Sequence, residues 1–329
     1  MKEAGLRVLI TGGSGFIGTN AVDYFLNQNS VILNFDINPP KKESHNQYWR
    51  NVDIRDKVQL EKELIDFAPT HILHLAAILG MDVKDISTFD ANTIGVKNLL
   101  EAAQNCPSVE HIVFTSSLLV CKNGYIPASD EDYCPPNLYG ESKMIGEKAV
   151  RGFQNPNFTW SIVRPTSIWG PWFAYSYRSF FKSIYKGYYF HLGKTSIVKP
   201  SSFTGNTVFM MTKILFSPKQ DVHQRTYYLS DYPVFTTRQW ADVIQQEMKT
   251  GRIRQIPVGL LRLAGFGGDI LKSLGWADPP ITTFRLKNML TGGLYPIDPI
   301  MKLCGPLPFS LKDGVRETVA WMKSCGDIH

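Results

Sequence analysis

No long hydrophobic run occurs anywhere in this 329-residue chain. A membrane-crossing helix needs ~18 consecutive apolar residues, and the richest aromatic segment, Phe180 to Phe190, is broken by Lys182, Lys186 and Gly187. The first apolar residues, Val8 to Thr11, suit a strand and are too few for a secretion signal, so a cytoplasmic location without membrane contact is expected. Cysteine is scarce. Cys106, Cys121, Cys134, Cys304 and Cys325 are odd in number and widely spaced, with no C-x-x-C pair, which excludes a disulfide framework and argues against zinc. No metal is expected. Positive charge is present but not concentrated: the net +6 is scattered and its longest cluster is Lys41-Lys42, so no nucleic-acid partner is expected. Internal repeats and low-complexity segments are lacking too, and 43% hydrophobic with 19% charged residues describes a globular chain.

What is there alternates. Short continuous apolar runs at Val8–Thr11, Val31–Phe35, Ile72–Leu75, Ile112–Phe114 and Trp160–Val163 read as strands buried on both faces. Helical spacing fills the gaps at 19–28, 57–67, 92–105 and 137–152. Asp56 suits an N-cap, and Pro69 stops the second helix. This βαβ rhythm predicts an α/β chain with a doubly wound parallel sheet. After Arg164-Pro165 the rhythm loosens. Residues 170–205 are rich in aromatics, glycine and proline; a strand at 225–229 and helices at 237–250, 258–274, 281–290 and 310–324 follow.

The first strand runs into Gly12-Gly13-Ser14-Gly15-Phe16-Ile17-Gly18, where Gly13, Gly15 and Gly18 satisfy G-x-G-x-x-G between a strand and a helix. Glycines without Cβ atoms let backbone N–H groups approach a pyrophosphate, and the helix N-terminus adds partial positive charge. The second strand ends at Asp36, near the spacing expected of a carboxylate that accepts ribose hydroxyls. A carboxylate there repels a 2′-phosphate, so NAD is expected over NADP; Pro39-Pro40 are expected to steer Lys41 and Lys42 away from that position.

Tyr139 and Lys143 stand four residues apart on one face of a helix opened by Pro135-Pro136. A phenol with a reference pKa near ~10 is a poor base at neutral pH, and neighbouring positive charge favours its anion. Thr115-Ser116-Ser117 end the strand 112–114, at the sheet edge where open α/β folds bind ligands.

These motifs, together with Val52-Asp53-Ile54-Arg55-Asp56, His74-Leu75-Ala76-Ala77, Asn92 to Ala102, Arg164-Pro165, Ile168-Trp169-Gly170-Pro171 and Ser310 to Trp321, resemble the extended short-chain dehydrogenase/reductases in their NAD-dependent epimerase/dehydratase branch. The resemblance spans nearly the whole chain. It implies a Rossmann fold at 1–165 with a returning segment at about 204–235, and a smaller C-terminal substrate lobe from 166–203 and 236–329. It implies a catalytic set of Ser117, Tyr139 and Lys143. It places NAD against Gly12, Gly15, Phe16, Ile17 and Gly18, Asp36, Asp53 and Ile54, Leu75, Ala76 and Ala77, Asn92, Thr115, Tyr139 and Lys143, Pro165 and Ile168. Substrate would meet Ser117, Thr166 and Lys199.

Departures from the family pattern narrow the reaction. Leu118-Leu119 stand where the dehydratases carry acid residues, so water elimination is disfavoured. Cys121-Lys122 replaces a usual Tyr-Gly, and Lys199 stands in for an arginine as a point charge. The expectation is an NAD-dependent nucleotide-sugar epimerase acting on a nucleotide-sugar-like small molecule. The alternatives are a dehydrogenase or ketoreductase of a sugar or sterol-type alcohol, and a non-catalytic NAD-binding regulatory protein. Trp169, Trp172, Phe173, Tyr175, Tyr177, Phe180 and Phe181 motivate the sterol option, with lobe packing as the plainer account of them. A homodimer is expected through the helices at 92–105 and 137–152, with Leu99, Ala103, Met144 and Ala149 as contacts.

Overall fold

The computed structural model describes residues 6–80, 83–173, 175–193, 197–276, 282–293 and 295–329. In the first half, β1 (Arg7–Thr11), α1 (Phe16–Asn27), β2 (Val31–Asp36), β3 (Trp49–Asn51), α2 (Lys57–Phe67) and β4 (His71–His74) alternate; α3 (Asp90–Gln104), β5 (His111–Thr115), α4 (Leu138–Gly152) and β6 (Thr159–Pro165) follow. Then come β7 (Ser167–Trp169), α5 (Tyr175–Tyr185), β8 (Phe190–Leu192), β9 (Ser201–Phe203), α6 (Thr204–Leu215), α7 (Lys219–Val222) and β10 (Arg225–Leu229). The chain closes with α8 (Thr237–Met248), β11 (Arg254–Ile256), α9 (Val258–Ser273), α10 (Thr283–Leu290), α11 (Asp298–Cys304) and α12 (Leu311–Ser324).

Seven parallel strands form the central sheet in the order β10-β6-β5-β4-β1-β2-β3. Val8, Leu9 and Ile10 are fully buried because helices cover both faces. Leu9, Ile72 and Ile112 pack towards α2, α3 and α4, whereas Val8, Ile10 and Val113 pack towards α1 and α6. The strand order reverses between β1 and β4, and such a reversal opens a crevice at the strand C-termini. The doubly wound sheet expected from the sequence is present.

Local chemistry sets several boundaries. The Asp56 side chain caps α2 by accepting from Gln59 N, and Thr236 with Gln239 forms a capping box on α8. Asn137 caps α4 by accepting from Gly140 N at 2.9 Å. Strand β3 and helices α5, α6 and α11 go beyond the elements read from the sequence. The smaller lobe is built around Trp169, Phe173, Phe181, Phe203 and Trp240, with Trp169 and Trp240 ring centroids 5.0 Å apart. Packing thus absorbs much of the aromatic segment, and the Tyr175 side chain lies outside the described residues. Two expectations need correction. Leu99 and Ala103 are core residues, not outward contacts, because their face of α3 lies against the sheet. Ile300 and Cys304 of α11 pack with α6 and β10 against the large sheet, apart from the smaller lobe that the sequence implies for 236–329.

Candidate active site

The crevice at the strand C-termini is a cleft of about 700 Å³. Its floor begins at the β1–α1 turn. Gly12 has φ +75°, donates its N–H to Phe35 O at 2.8 Å, and leaves no room for a Cβ, which would lie 2.6 Å from Ala76 N. Gly15 is different in kind: beyond its chain neighbours, a Cβ there would meet only Gly12 O, at 3.1 Å. It begins α1, which no side chain caps, so the first-turn N–H groups face the cleft as a ready anion cradle.

Asp36 stands at the end of β2 with its carboxylate already engaged, Oδ2 accepting from Ser14 N at 3.0 Å and Oδ1 from Asn38 N at 2.9 Å. These bonds fix it against the glycine loop. Lys41 also lines the cleft, its Nζ donating to Trp172 O at 3.3 Å, whereas Lys42 turns away to Asp23 at 2.6 Å. Only one of the two lysines is therefore steered aside. Asp53 and Ile54 line the far end, where the Arg55 guanidinium holds the Asp53 carboxyl below its ordinary pKa.

Tyr139, Ser117 and Lys143 meet at the opposite end. The Tyr139 phenol and the Ser117 side chain lie next to each other in the cleft. Gly140 makes that approach possible, since a Cβ on it would sit 2.1 Å from Leu119 O, so α4 can press against the segment after β5. Lys143 Nζ donates to Thr115 O at 2.9 Å. Burial pushes the phenol up to about 12, opposed by the neighbouring Ser117 hydroxyl. Burial also lowers the ammonium to about 8, opposed by Glu147.

Behind Lys143 lies a polar layer. The Glu147 carboxylate accepts from Ser116 Oγ at 2.5 Å, from Arg164 Nε at 2.9 Å and Nη2 at 2.7 Å, and from Tyr133 OH at 3.0 Å. Arg164 is wholly buried and also donates to Tyr228 OH at 2.8 Å. His74 Nδ1 pairs with Thr11 Oγ1 at 2.7 Å, while its Nε2 and Thr115 Oγ1 have no protein partner. Burial, aided by Lys143, lowers His74 to about 3, so its ring is neutral. His74, Lys143 and Glu147 border a cavity of about 20 Å³, room for one water.

Thr115, Leu75, Ala76, Ala77, Phe16, Ile17, Gly18, Pro165, Thr166 and Ile168 line the cleft alongside the residues above. Two expected residues do not. Asn92 lies under the floor, where its side chain clasps Ile78 N at 2.8 Å and Ile78 O at 3.0 Å and donates to Ser142 Oγ at 2.9 Å. Its amide is spent on holding the loop after β4. Lys199 lines a second cavity of about 390 Å³ with Ser167, Phe180, Tyr189, His191, Arg238 and Trp240. Strand alternation accounts for the split: Thr166 and Ile168 face the first cavity and Ser167 the second. The sequence places Ser116 at the ligand-binding sheet edge with Thr115 and Ser117, but Glu147 is not among the residues it singles out. The signal for Glu147 was available, because it continues the 139–143 face by one more step of four.

The NAD-dependent epimerase/dehydratase family model matches residues 8–199. The chain belongs to this family. Its relatives include N-acetyl-alpha-D-glucosaminyl-diphospho-ditrans,octacis-undecaprenol 4-epimerase of Escherichia coli O157:H7, 27% identical over 96% of this chain and 95% of that one. A 3 beta-hydroxysteroid dehydrogenase/Delta 5-->4-isomerase of Mycobacterium tuberculosis is 30% identical over 68% of this chain and 65% of its own. Among solved structures, the UDP-glucose 4-epimerase of Thermus thermophilus, in complex with NAD, superposes with a TM-score of 0.70 at 22% identity, covering 97% of this chain and 99% of that one. As a family member the protein is an NAD-dependent enzyme, and the open cradle at Gly15 with the uncapped α1 fits the cofactor's pyrophosphate.

Proposed function

We propose that the protein is a sugar epimerase that oxidises a ring hydroxyl of a diphosphate-linked sugar and restores it with the opposite configuration. The observation that carries this is the convergence of Ser117, Tyr139 and the buried Lys143 on one cleft. Tyr139 takes the hydroxyl proton and later returns it, Ser117 orients the reacting oxygen, and Lys143 supports the phenolate by its positive charge. NAD, when bound, supplies a hydride acceptor and a positive charge that favours the phenolate. Gly15, Phe16 and Ile17 would hold its pyrophosphate, Asp36 its ribose hydroxyls, and Asp53 with Ile54 its adenine. Leu118 and Leu119 after Ser117 provide no acid for water elimination, which favours epimerisation over dehydration.

Support for a diphosphate-linked sugar comes from Lys199 and Arg238 beside the second cavity and from the E. coli relative, whose named substrate is a diphospho-linked N-acetylglucosamine. A second reading, dehydrogenation of a sterol-type alcohol, is favoured by the aromatic wall of Phe180, Tyr189, Phe235 and Trp240 and by the mycobacterial relative. The proposed assembly is a homodimer through α3 and α4, where Ile94 is 47% exposed. Incubation with NAD and a panel of nucleotide sugars, polyprenyl-diphospho sugars and sterols separates the readings. Interconversion of sugar configuration without net NADH supports the epimerase. Accumulating NADH with an alcohol favours the dehydrogenase, and NAD binding without turnover would point to a regulatory protein.

A further inference from the structure

Helix α9 exposes an apolar stripe on the smaller lobe. Leu260, Leu263, Phe266, Ile270 and Leu274 follow one another at steps of three, three, four and four residues, which places them along one side of a helix. They are 59, 70, 64, 45 and 77% exposed. The other side carries Leu261, Gly265 and Gly268, all buried. A Cβ on Gly265 would lie 3.2 Å from Thr283 N, so that side is closed against the start of α10. Trp276, just past the helix, is 52% exposed. A folded monomer seldom leaves such a contiguous apolar stripe bare unless something binds it.

The charge around the stripe is one-sided. Residues 251–293 hold six basic side chains and two acidic ones, a net +4 out of the chain's +6. Arg252, Arg254, Arg262, Lys272 and Lys287 are exposed. Asp269 is turned inward, its two carboxylate oxygens 3.2 and 3.4 Å from Thr283 N. A bare apolar stripe with Arg262 at its edge, in a segment whose exposed charges are mostly basic, matches the interface of an anionic bilayer, where apolar side chains enter below the headgroups and basic ones stay among them. It matches a second copy of this chain poorly, because a symmetric contact would set one predominantly basic surface against another. No described helix is long and apolar enough to cross a membrane. At 16 residues, α9 would be about 24 Å long, enough to lie in the interface.

The helix also sits next to the second cavity. It starts immediately after β11, which pairs with β8, and Tyr189, His191 and Leu192 of that stretch line the cavity. Val258, its first residue, packs beside Gly193.

We propose that α9 docks this protein on anionic lipid, stripe inward and basic side chains against the headgroups. The docking presents the second cavity to the membrane. Its consequence, which rests on the function proposed above, is that the substrate is amphipathic. No continuous apolar run marks this contact in the sequence, because the stripe is interrupted at every turn.

Co-sedimentation of the full-length protein with phosphatidylcholine vesicles, with and without phosphatidylglycerol, tests the docking. Binding is expected to the anionic vesicles, to weaken in high salt, and to be slight on phosphatidylcholine alone. Phe266→Glu and Leu263→Glu, both at exposed positions, should each lower the partition coefficient about tenfold or more. Arg262→Gln, at the edge of the stripe, should lower it about fivefold. Val58→Glu, at an 80%-exposed position on α2, is the control and should bind as the wild type does. Absence of binding to anionic vesicles would overturn the proposal, as would binding indifferent to Phe266→Glu. A concentration-dependent oligomer dispersed by Phe266→Glu, without vesicle binding, would assign the stripe to self-association instead. Vesicle binding needs no turnover, so failure of the epimerase reading would leave this result unmoved.

Discussion

Burial acts in opposite directions on the two ionisable groups of the Tyr139–Lys143 pair, raising the phenol to about 12 and lowering the ammonium to about 8. Both shifts favour the neutral forms in the free protein. The lysine's shift from 10.5 to about 8 corresponds to about 3 kcal/mol at about 1.36 kcal/mol per pKa unit. Its folded-state pKa is depressed, so its contribution to stability is fully present above 10.5 and is lost as pH falls through about 8. Lys143→Met removes this titration. The stability of the variant relative to the wild type should therefore drop by about 3 kcal/mol between about pH 7 and pH 10.5, read from urea unfolding at each pH. A difference that stays flat across that window would mean Lys143 is not charged and desolvated as described. Tyr139 and Lys143 were legible in the sequence because an i, i+4 pair is a local pattern. The rise of the phenol was not, since it comes from burial among neighbours distant in the chain, Phe89 among them with its ring centroid 6.0 Å away.

At the scale of elements, Glu147 and Arg164 join α4 to β6 through a bidentate pair buried on both sides. Breaking one partner of such a pair strands the other charge in the interior, which costs about 3–5 kcal/mol. Glu147→Gln should lose stability in that range, measured by denaturant unfolding, because the amide puts N–H donors against Arg164 and Tyr133. A loss well under 1 kcal/mol would show that α4 is held by its apolar face alone. Elements carried by local signals were readable from sequence: α2 is bounded by Asp56 and Pro69, and β10 by its Tyr227–Leu229 core. Elements set by distant partners were not. Strand β3 pairs only three residues at the sheet edge, and α6 is defined by burial against α1 and β5. The path of Lys41 depends on Trp172, 131 positions away.

For the whole molecule, the order of the seven strands brings residues from positions 12 to 168 into one cleft. The smaller lobe adds a second cavity on the other side of β7. Family membership made the first cavity readable in advance; the second, with the stripe on α9 beside it, depends on how two short strand pairs fold together. The central claim is that Tyr139 exchanges the proton of a substrate hydroxyl in this cleft. Tyr139→Phe removes the phenolic oxygen and keeps the ring packed against Phe89. Turnover of a substrate that the wild type accepts, measured beside NAD affinity, tests the claim most directly. The expected result is NAD affinity close to the wild type with turnover lower by ~10²–10⁴-fold, the usual contribution of a general acid–base group. Turnover near the wild-type rate would contradict it.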